Sequence, residues 1–206
     1  MTTKPRDSKR KDIIKAAISL FLTHGFSAVS MDKIAQEAPV SKATLYKYFD
    51  SKNTLFSAVI DELCTTLFQT MDEVLLDADA SIESNLVKIA VAFVDLIFTP
   101  EAIAIYRLVI SESRDFPVLG KLLYEVGPQY LLRQLEDYLV YINQSENIHI
   151  VAPAFAADSF LSLLKGQLHF QCLLGIKPLP LSETEKQNHI KQVVNFYSQG
   201  FLYAPQ

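Results

Sequence analysis

Residues 41–52 read SKATLYKYFDSK, and they predict a short helix with two different faces. Ser41 is a residue type that caps helices, because its hydroxyl accepts a hydrogen bond from a free N–H of the first turn. At about 100° per residue, Leu45 and Phe49 fall on one face, with Tyr46 at the edge of that face. We therefore expect Leu45 and Phe49 to be buried in a core.

The opposite face of this helix carries small, hydroxyl-bearing, cationic and aromatic side chains: Ala43, Thr44, Lys47 and Tyr48, with Lys42 at the N-terminal end. Lysine and threonine bind phosphates or base edges, and tyrosine packs against sugar or a thymine methyl group. Such a face fits the major groove of B-DNA, which is about 12 Å wide. An ordinary solvated helix face is the alternative interpretation.

Two further helices are predicted upstream. Between about residues 8 and 23 apolar residues recur at helical spacing, namely Ile13, Ile14, Ala17, Leu20 and Phe21. Gly25 follows, where a left-handed helix cap is expected. Ser30 caps a short helix through Glu37, and residues 38–40 (Ala-Pro-Val) separate it from the helix after Ser41. Two short helices joined by a tight turn form a helix-turn-helix motif.

The rest of the chain predicts more apolar helices and no strand. A long helix starts at Ser51 and reaches the high 70s, and later helices are marked by caps and prolines. Their predicted ranges are 81–98, 99–114, 116–142 with a kink or split at Gly127-Pro128, 153–174 and 182–202. We therefore expect an all-α protein. A three-helix N-terminal helix-turn-helix domain (1–52) is joined by the long helix to a C-terminal antiparallel helical bundle (53–206).

The charge of the chain is distributed unevenly. Residues 1–55 contain ten Lys/Arg and five Asp/Glu, a net charge of +5, whereas the remainder contains nine and eighteen, a net charge of −9. A basic head on an acidic body suggests that only the head meets a polyanion. A solvated basic surface remains the alternative.

These features together carry a family resemblance. The matching residues are Ile14, Ala17, Leu20-Phe21 and Gly25-Phe26, then Met31 to Ala35, Val40 to Phe49, Ser51-Lys52 and Leu55. Residues 10–60 resemble the N-terminal domain of the TetR (tetracycline-repressor) family of bacterial transcription regulators. Residues 107–117 and 124–128 look more weakly like the ligand domain of its AefR-like branch. The resemblance implies a homodimer that binds a palindromic operator and releases it when a small molecule enters the C-terminal domain.

The chain departs from the family pattern at Pro39, where the family usually has glycine. Proline fixes φ near −65° and cannot adopt a left-handed turn conformation. It also disfavours helical geometry at Ala38. We therefore expect the turn to close differently, which affects the tilt of the helix that reads DNA.

The expected sites follow from the faces and from the resemblance, which implies that Tyr46 and Lys52 contact phosphate. The expected DNA-binding residues are Ser30, Lys42, Ala43, Thr44, Tyr46, Lys47, Tyr48 and Lys52. The candidates for binding an apolar or amphipathic effector are Phe68, Tyr106, Glu112, Gln167, His169 and Phe170. The polar residues among these candidates are explained equally well as side chains that are hydrogen-bonded inside the core or across an interface. The expected dimer seam consists of helices 153–174 and 182–202, and close helix approach would explain Gly166 in mid-helix.

No enzyme, cofactor or metal site is expected. The four histidines lack metal-ligand spacing, and neither a phosphate-binding glycine loop nor a GxSxG motif is present. We expect no secretory signal, because Lys15 interrupts the apolar run near the start, and no membrane span, because no uncharged apolar run reaches about 18 residues. Cys64 and Cys172 show no CxxC spacing, which fits a reducing cytoplasm. A helical adaptor or a helical-bundle enzyme without DNA binding is the alternative function.

Overall fold

The computed structural model of the protein describes residues 5–76, 81–145 and 150–202. These residues form ten α-helices and a final π-helical turn at Ser198–Leu202, and no strand occurs among them. The helices are α1 (Pro5–His24), α2 (Met31–Glu37), α3 (Lys42–Tyr48), α4 (Lys52–Leu76), α5 (Ile82–Ile97), α6 (Pro100–Glu112), α7 (Pro117–Val126), α8 (Pro128–Ser145), α9 (Pro153–Leu173) and α10 (Glu183–Tyr197). The predicted all-α class is confirmed, including the split at Gly127.

The helices form two compact units. The N-terminal unit contains the described residues up to Leu63 together with Ala104–Gly127, and the C-terminal unit contains Cys64–Ile103 and the described residues from Pro128 onward. This division differs from the predicted domains 1–52 and 53–206. Both α4 and α6 continue from one unit into the other, and α7 belongs to the N-terminal unit.

The N-terminal unit has its core where the apolar periodicity predicted it. Ile13, Ile14 and Phe21 of α1 are fully buried, and so is Leu45 of α3. Gly25 ends α1 with a φ of +82°, and its N–H donates to the Phe21 carbonyl oxygen at 2.9 Å. The predicted left-handed cap is therefore confirmed.

The turn between α2 and α3 closes without a left-handed residue. Ala38 has φ −83° and ψ 15°, and its N–H donates to the Ile34 carbonyl oxygen at 2.9 Å. The N–H of Val40 then donates to the Ala35 carbonyl oxygen at 3.0 Å. Neither hydrogen bond requires an N–H group at position 39. Proline, which has no backbone N–H, therefore fits where the family usually has glycine.

The C-terminal unit is built around one apolar core to which α5, α8, α9 and α10 contribute. Phe160 of α9 and Tyr197 of α10 are fully buried, with ring centroids 4.8 Å apart. The buried amide of Asn85 on α5 donates to the Tyr138 hydroxyl of α8 at 3.1 Å, so these two polar side chains inside the core are hydrogen-bonded to each other.

Helix α9 is interrupted at Gly166, where φ is +49° and ψ is −159°. A Cβ atom built there has no neighbour within 4 Å. Close approach of another helix of this chain therefore does not explain the glycine. The explanation is the backbone conformation, which residues with a side chain adopt only at an energetic cost.

Gly166→Ala is expected to lower the free energy of unfolding by about 1–2 kcal/mol, because alanine is strained at positive φ although space is available. Gly120→Ala is the matched control, since Gly120 lies inside α7 and its added Cβ also meets nothing within 4 Å. That change should stabilise by about 0.4–1 kcal/mol. Urea unfolding of both variants tests the assignment, which a neutral Gly166→Ala would contradict.

No single helix in the described ranges is both long and apolar enough to cross a membrane. The bent pair α5 and α6 reaches that length and composition only when the two helices are taken together.

Candidate nucleic-acid interface

Helix α3 presents the two faces that the sequence predicts. Leu45 is fully buried and Phe49 is 3% exposed, so this face is held in the core. Lys42, Ala43 and Lys47 are exposed on the other side. Thr44 and Tyr48 are half-buried, and Tyr46 is 44% exposed at the edge. The helix is thus anchored by one side, and its cationic side is accessible.

Serine caps fix the start of both helices of the motif. Ser30 Oγ accepts a hydrogen bond from the Lys33 N–H at 3.2 Å, and Ser41 Oγ accepts one from the Thr44 N–H at 3.1 Å. Ser41 Oγ also lies 2.8 Å from Thr44 Oγ1, so these two hydroxyls share a hydrogen bond. Ser30 and Thr44, both expected to contact DNA, therefore stabilise the helix starts as well.

Lys42 is paired with Asp32, which the sequence pattern alone did not indicate as its partner. Its Nζ lies 2.8 Å from Asp32 Oδ1 and 3.0 Å from Asp32 Oδ2, which ties the start of α3 to the first turn of α2. The hydrogen bond to Asp32 raises the pKa of the Lys42 ammonium. Both side chains are exposed, so a phosphate or base edge could replace Asp32 at little cost. The opposite charges on adjacent helices of the motif were the available sequence signal.

Lys52, the first residue of α4, directs its ammonium group into the protein. Nζ donates to the carbonyl oxygens of Phe26 at 2.7 Å, Val29 at 2.9 Å and Ser27 at 3.4 Å. It also lies 4.3 Å from the centroid of the Phe26 ring. Burial lowers the pKa of Lys52, and the charge of Glu112 partly offsets that effect. An ammonium group has three N–H donors, and three carbonyl acceptors surround this one.

The six effector candidates are divided between the two units. Tyr106 and Glu112 belong to the N-terminal unit, where Glu112 Oε1 accepts a hydrogen bond from the Ser27 N–H at 3.3 Å. The C-terminal unit contains the other four candidates. The ring of Phe68 lies 4.5 Å from that of Tyr130. His169 is buried, and its ring lies 5.8 Å from that of Phe98. Gln167 and Phe170 of the same helix are exposed. His169 and these two neighbours therefore do not face one common cavity.

Burial, with a smaller contribution from the charge of Lys165, lowers the pKa of His169 from 6.5 to about 4. The folded protein therefore keeps this ring neutral while the unfolded chain takes up a proton below pH 6.5. The contribution of His169 to the stability of the fold is therefore fully present above pH 6.5 and is lost as the pH drops toward 4.

His169→Leu is expected to reduce the loss of unfolding free energy between pH 7 and pH 5 by about 1–2 kcal/mol. Denaturant midpoints at both pH values measure it. His24→Leu is the control, because His24 is exposed at the end of α1 and the change should leave the difference as it is. An identical acid loss in wild type and His169→Leu would contradict the assignment.

Within the described parts of the chain, no group of three or more His, Cys, Asp or Glu side chains is arranged to hold a metal ion. Cys64 and Cys172 are both buried thiols.

Known protein families match most of the chain. Residues 13–59 match the family described as bacterial regulatory proteins of the tetR family, and residues 84–201 match the C-terminal domain of AefR-like transcriptional repressors. The transcriptional activator FasR of Mycolicibacterium smegmatis is 45% identical over 56 residues, which are 27% of this chain and 26% of FasR. The chain therefore spans about a quarter of that relative's length.

Solved structures extend the similarity beyond the N-terminal helix-turn-helix region. The flavonoid-responsive regulator FrrA is 35% identical with a TM-score of 0.75, and the alignment covers 97% of this chain and 100% of FrrA. A TetR-family regulator from Mesorhizobium loti shares the fold, with a TM-score of 0.80 at 24% identity, over 97% of this chain and 100% of that one. The C-terminal family match alone covers more than half of the chain. The protein therefore belongs to the TetR family of bacterial transcriptional regulators, with a C-terminal domain of the AefR-like type.

Proposed function

We propose that the protein is a homodimeric repressor that binds a palindromic operator and releases it when a small molecule binds. The observation that carries this proposal is the division of α3 into a buried side, Leu45 and Phe49, and an accessible side with Lys42, Ala43 and Lys47. Members of this family bind operator DNA, dimerise and bind small-molecule effectors. The protein would act in the cytoplasm, where bacterial chromosomal DNA lies.

In this proposal the accessible side of α3 enters the major groove. Lys42 and Thr44 read base edges, Ala43 allows close approach, and Lys47 and Tyr48 contact the backbone or a thymine methyl group. Ser30 and Tyr46 contribute phosphate contacts from the edges of the motif. Successive half-sites then lie about 34–36 Å apart, or a multiple of that distance.

The dimer seam is proposed on α9 and α10. Large apolar side chains remain exposed on these helices and on the loop between them: Phe155, Phe170, Leu174, Ile176 and Phe196. Large apolar side chains exposed on two successive helices are typical of surfaces that a second subunit covers. The predicted ranges 153–174 and 182–202 include all of them except Ile176.

The effector proposed here is an apolar or amphipathic small molecule bound by the C-terminal unit. Similarity to the flavonoid-responsive regulator FrrA makes flavonoids the first compounds to test. Because α4 runs from the C-terminal unit into the N-terminal unit, a ligand that shifts it would also move the helix-turn-helix motif. Only a ligand with different affinities for the two states shifts their equilibrium. A compound that binds in the C-terminal unit at saturation and leaves operator affinity unchanged would refute this switch.

Selection of bound fragments from genomic DNA, followed by anisotropy titrations, tests the proposal as a whole. If a dimer neutralises about eight phosphates, log affinity should fall with log salt at a slope near −7. A reporter behind the selected operator separates a repressor, whose removal raises transcription, from an activator, whose removal lowers it. A helical adaptor or enzyme would select no fragment above background.

A further inference from the structure

One peptide unit between α1 and α2 is held by two side chains of opposite charge. The Phe26 carbonyl oxygen accepts a hydrogen bond from Lys52 Nζ at 2.7 Å, and the N–H of the same peptide, on Ser27, donates to Glu112 Oε1 at 3.3 Å. An ammonium ion thus lies at the negative end of the peptide dipole, and a carboxylate lies at its positive end. This arrangement fixes the orientation of the peptide plane from both sides.

Further contacts hold the same loop, residues 25–30, which we name the α1–α2 loop. Phe116, at the start of α7, places its ring edge-on to that of Phe26, with centroids 5.6 Å apart. A Cβ atom at Gly25 would lie 2.7 Å from Glu112 Oε1, so the glycine provides room for the carboxylate as well as its positive φ. The loop is therefore held by Lys52, the first residue of α4, and by Glu112, the last residue of α6.

The α1–α2 loop leads directly into the helix-turn-helix motif. Its last residue, Ser30, is the cap of α2, and α2 is joined to α3 by the short turn and by the Asp32–Lys42 pair. A change in the orientation of the Phe26–Ser27 peptide would therefore move the start of α2. Since α2 supports α3, the accessible face of α3 would move as well.

We propose that Lys52 and Glu112 are positioning residues for operator binding. They hold the α1–α2 loop, and through it α2 and α3, in the orientation that fits DNA, and neither side chain touches the duplex. This assignment rests on the proposed function as an operator-binding protein. It replaces the phosphate contact that the family resemblance implied for Lys52 and the effector contact suggested for Glu112.

The direction of the Glu112 effect separates positioning from simple electrostatics. Replacing Glu112 with a neutral residue makes the N-terminal unit more positive, which by itself would tighten binding to any duplex. Positioning requires the opposite result. For Lys52, a lost phosphate contact would reduce the salt slope of binding by about two per dimer, whereas lost positioning would leave the slope unchanged.

The test uses the full chain and a duplex selected from genomic DNA, with Glu112→Ala, Glu112→Gln, Lys52→Met and the double variant. We expect about tenfold weaker operator binding for Glu112→Ala and for Lys52→Met, because each removes a charged hydrogen-bond partner. Both should keep the wild-type salt slope. The double variant should lose little more than either single one, since both act on one peptide. Glu112→Gln keeps an acceptor oxygen and should lose only about two- to threefold.

Amide hydrogen exchange at residues 25–30 supplies a readout without DNA. Exchange at Ser27 should become faster in Glu112→Ala and in Lys52→Met, while the unfolding midpoint shows that both remain folded. Glu125→Ala is the control, since it removes an exposed carboxylate of α7 in the same unit and should leave loop exchange unchanged.

Operator binding by Glu112→Ala that equals or exceeds that of wild type would overturn the proposal. A reduced salt slope in Lys52→Met would overturn the part that concerns Lys52. Unchanged exchange at Ser27 would show that the loop is not held by these side chains. A different outcome is that the wild-type protein binds no duplex, while exchange at Ser27 still becomes faster in the variants. That outcome would refute the proposed operator binding and would still support the role of Lys52 and Glu112 in holding the loop.

Discussion

Lys42→Ala is expected to weaken binding to the selected operator by about 30- to 1,000-fold. A good base contact contributes about 1–3 kcal/mol, and for a single lysine ammonium we expect the lower part of that range, about 1–2 kcal/mol. The proposed dimer makes the contact twice, so about 2–4 kcal/mol is lost in total. Binding to an unrelated duplex should weaken far less, because there only a charge is removed. Lys42 is exposed and its partner Asp32 is also exposed, so the fold should not be affected.

The measurement is a pair of anisotropy titrations, on operator and on a duplex of shuffled sequence, at two salt concentrations. Lys121→Ala is the matched control, because it removes an exposed lysine from α7 that pairs with Glu125 within one helix. It should change both affinities by less than about twofold. Equal losses on operator and shuffled duplex for Lys42→Ala would rule out a base-reading role and leave only a phosphate contact.

Phe196→Glu is expected to convert the proposed dimer into monomers at micromolar concentration and to weaken operator binding by about 100-fold or more. Phe196 lies on α10 and is 64% exposed in the single chain, so a charge there costs the protomer little. In a dimer the same carboxylate would be buried without a partner, which is strongly unfavourable. Without the second subunit, the gain from binding two linked half-sites is lost, and that gain is about 10²–10⁴-fold.

Sedimentation velocity gives the oligomeric state, and anisotropy gives the operator affinity of the same samples. Tyr124→Glu is the matched control, since Tyr124 is an exposed aromatic residue on α7, outside the proposed seam. It should remain dimeric and bind with nearly the wild-type affinity. A Phe196→Glu protein that stays dimeric and binds operator normally would exclude this part of α10 from the seam.

The faces of α3 could be predicted from sequence because they depend on local geometry. Burial of Leu45 and Phe49 follows from a period of 3.6 residues, and the caps at Ser30 and Ser41 follow from hydroxyls that reach the first helical turn. The closure at Pro39 could not be predicted, because several backbone paths join two short helices. The structure uses one in which the proline N is not required.

Contacts between residues that are distant in sequence could not be predicted from the local pattern. Lys52 was expected to reach phosphate, yet its ammonium lies among carbonyl groups 23 to 26 residues away. Glu112 was an effector candidate, yet it bonds to an N–H 85 residues away. A long polar side chain reaches in many directions, and its type alone does not determine which partner it meets.

The sequence by itself therefore determined the all-α class, the helix-turn-helix motif, the accessible side of α3 and the family, since each follows from periodicity, caps and short motifs. The tertiary structure alone decided that residues 104–127 pack in the unit of the helix-turn-helix motif, and that Lys52 and Glu112 grip one peptide of the α1–α2 loop. The physical reason is that helix formation is set by near neighbours, whereas the partner of a charged group is set by which distant segments fold against it.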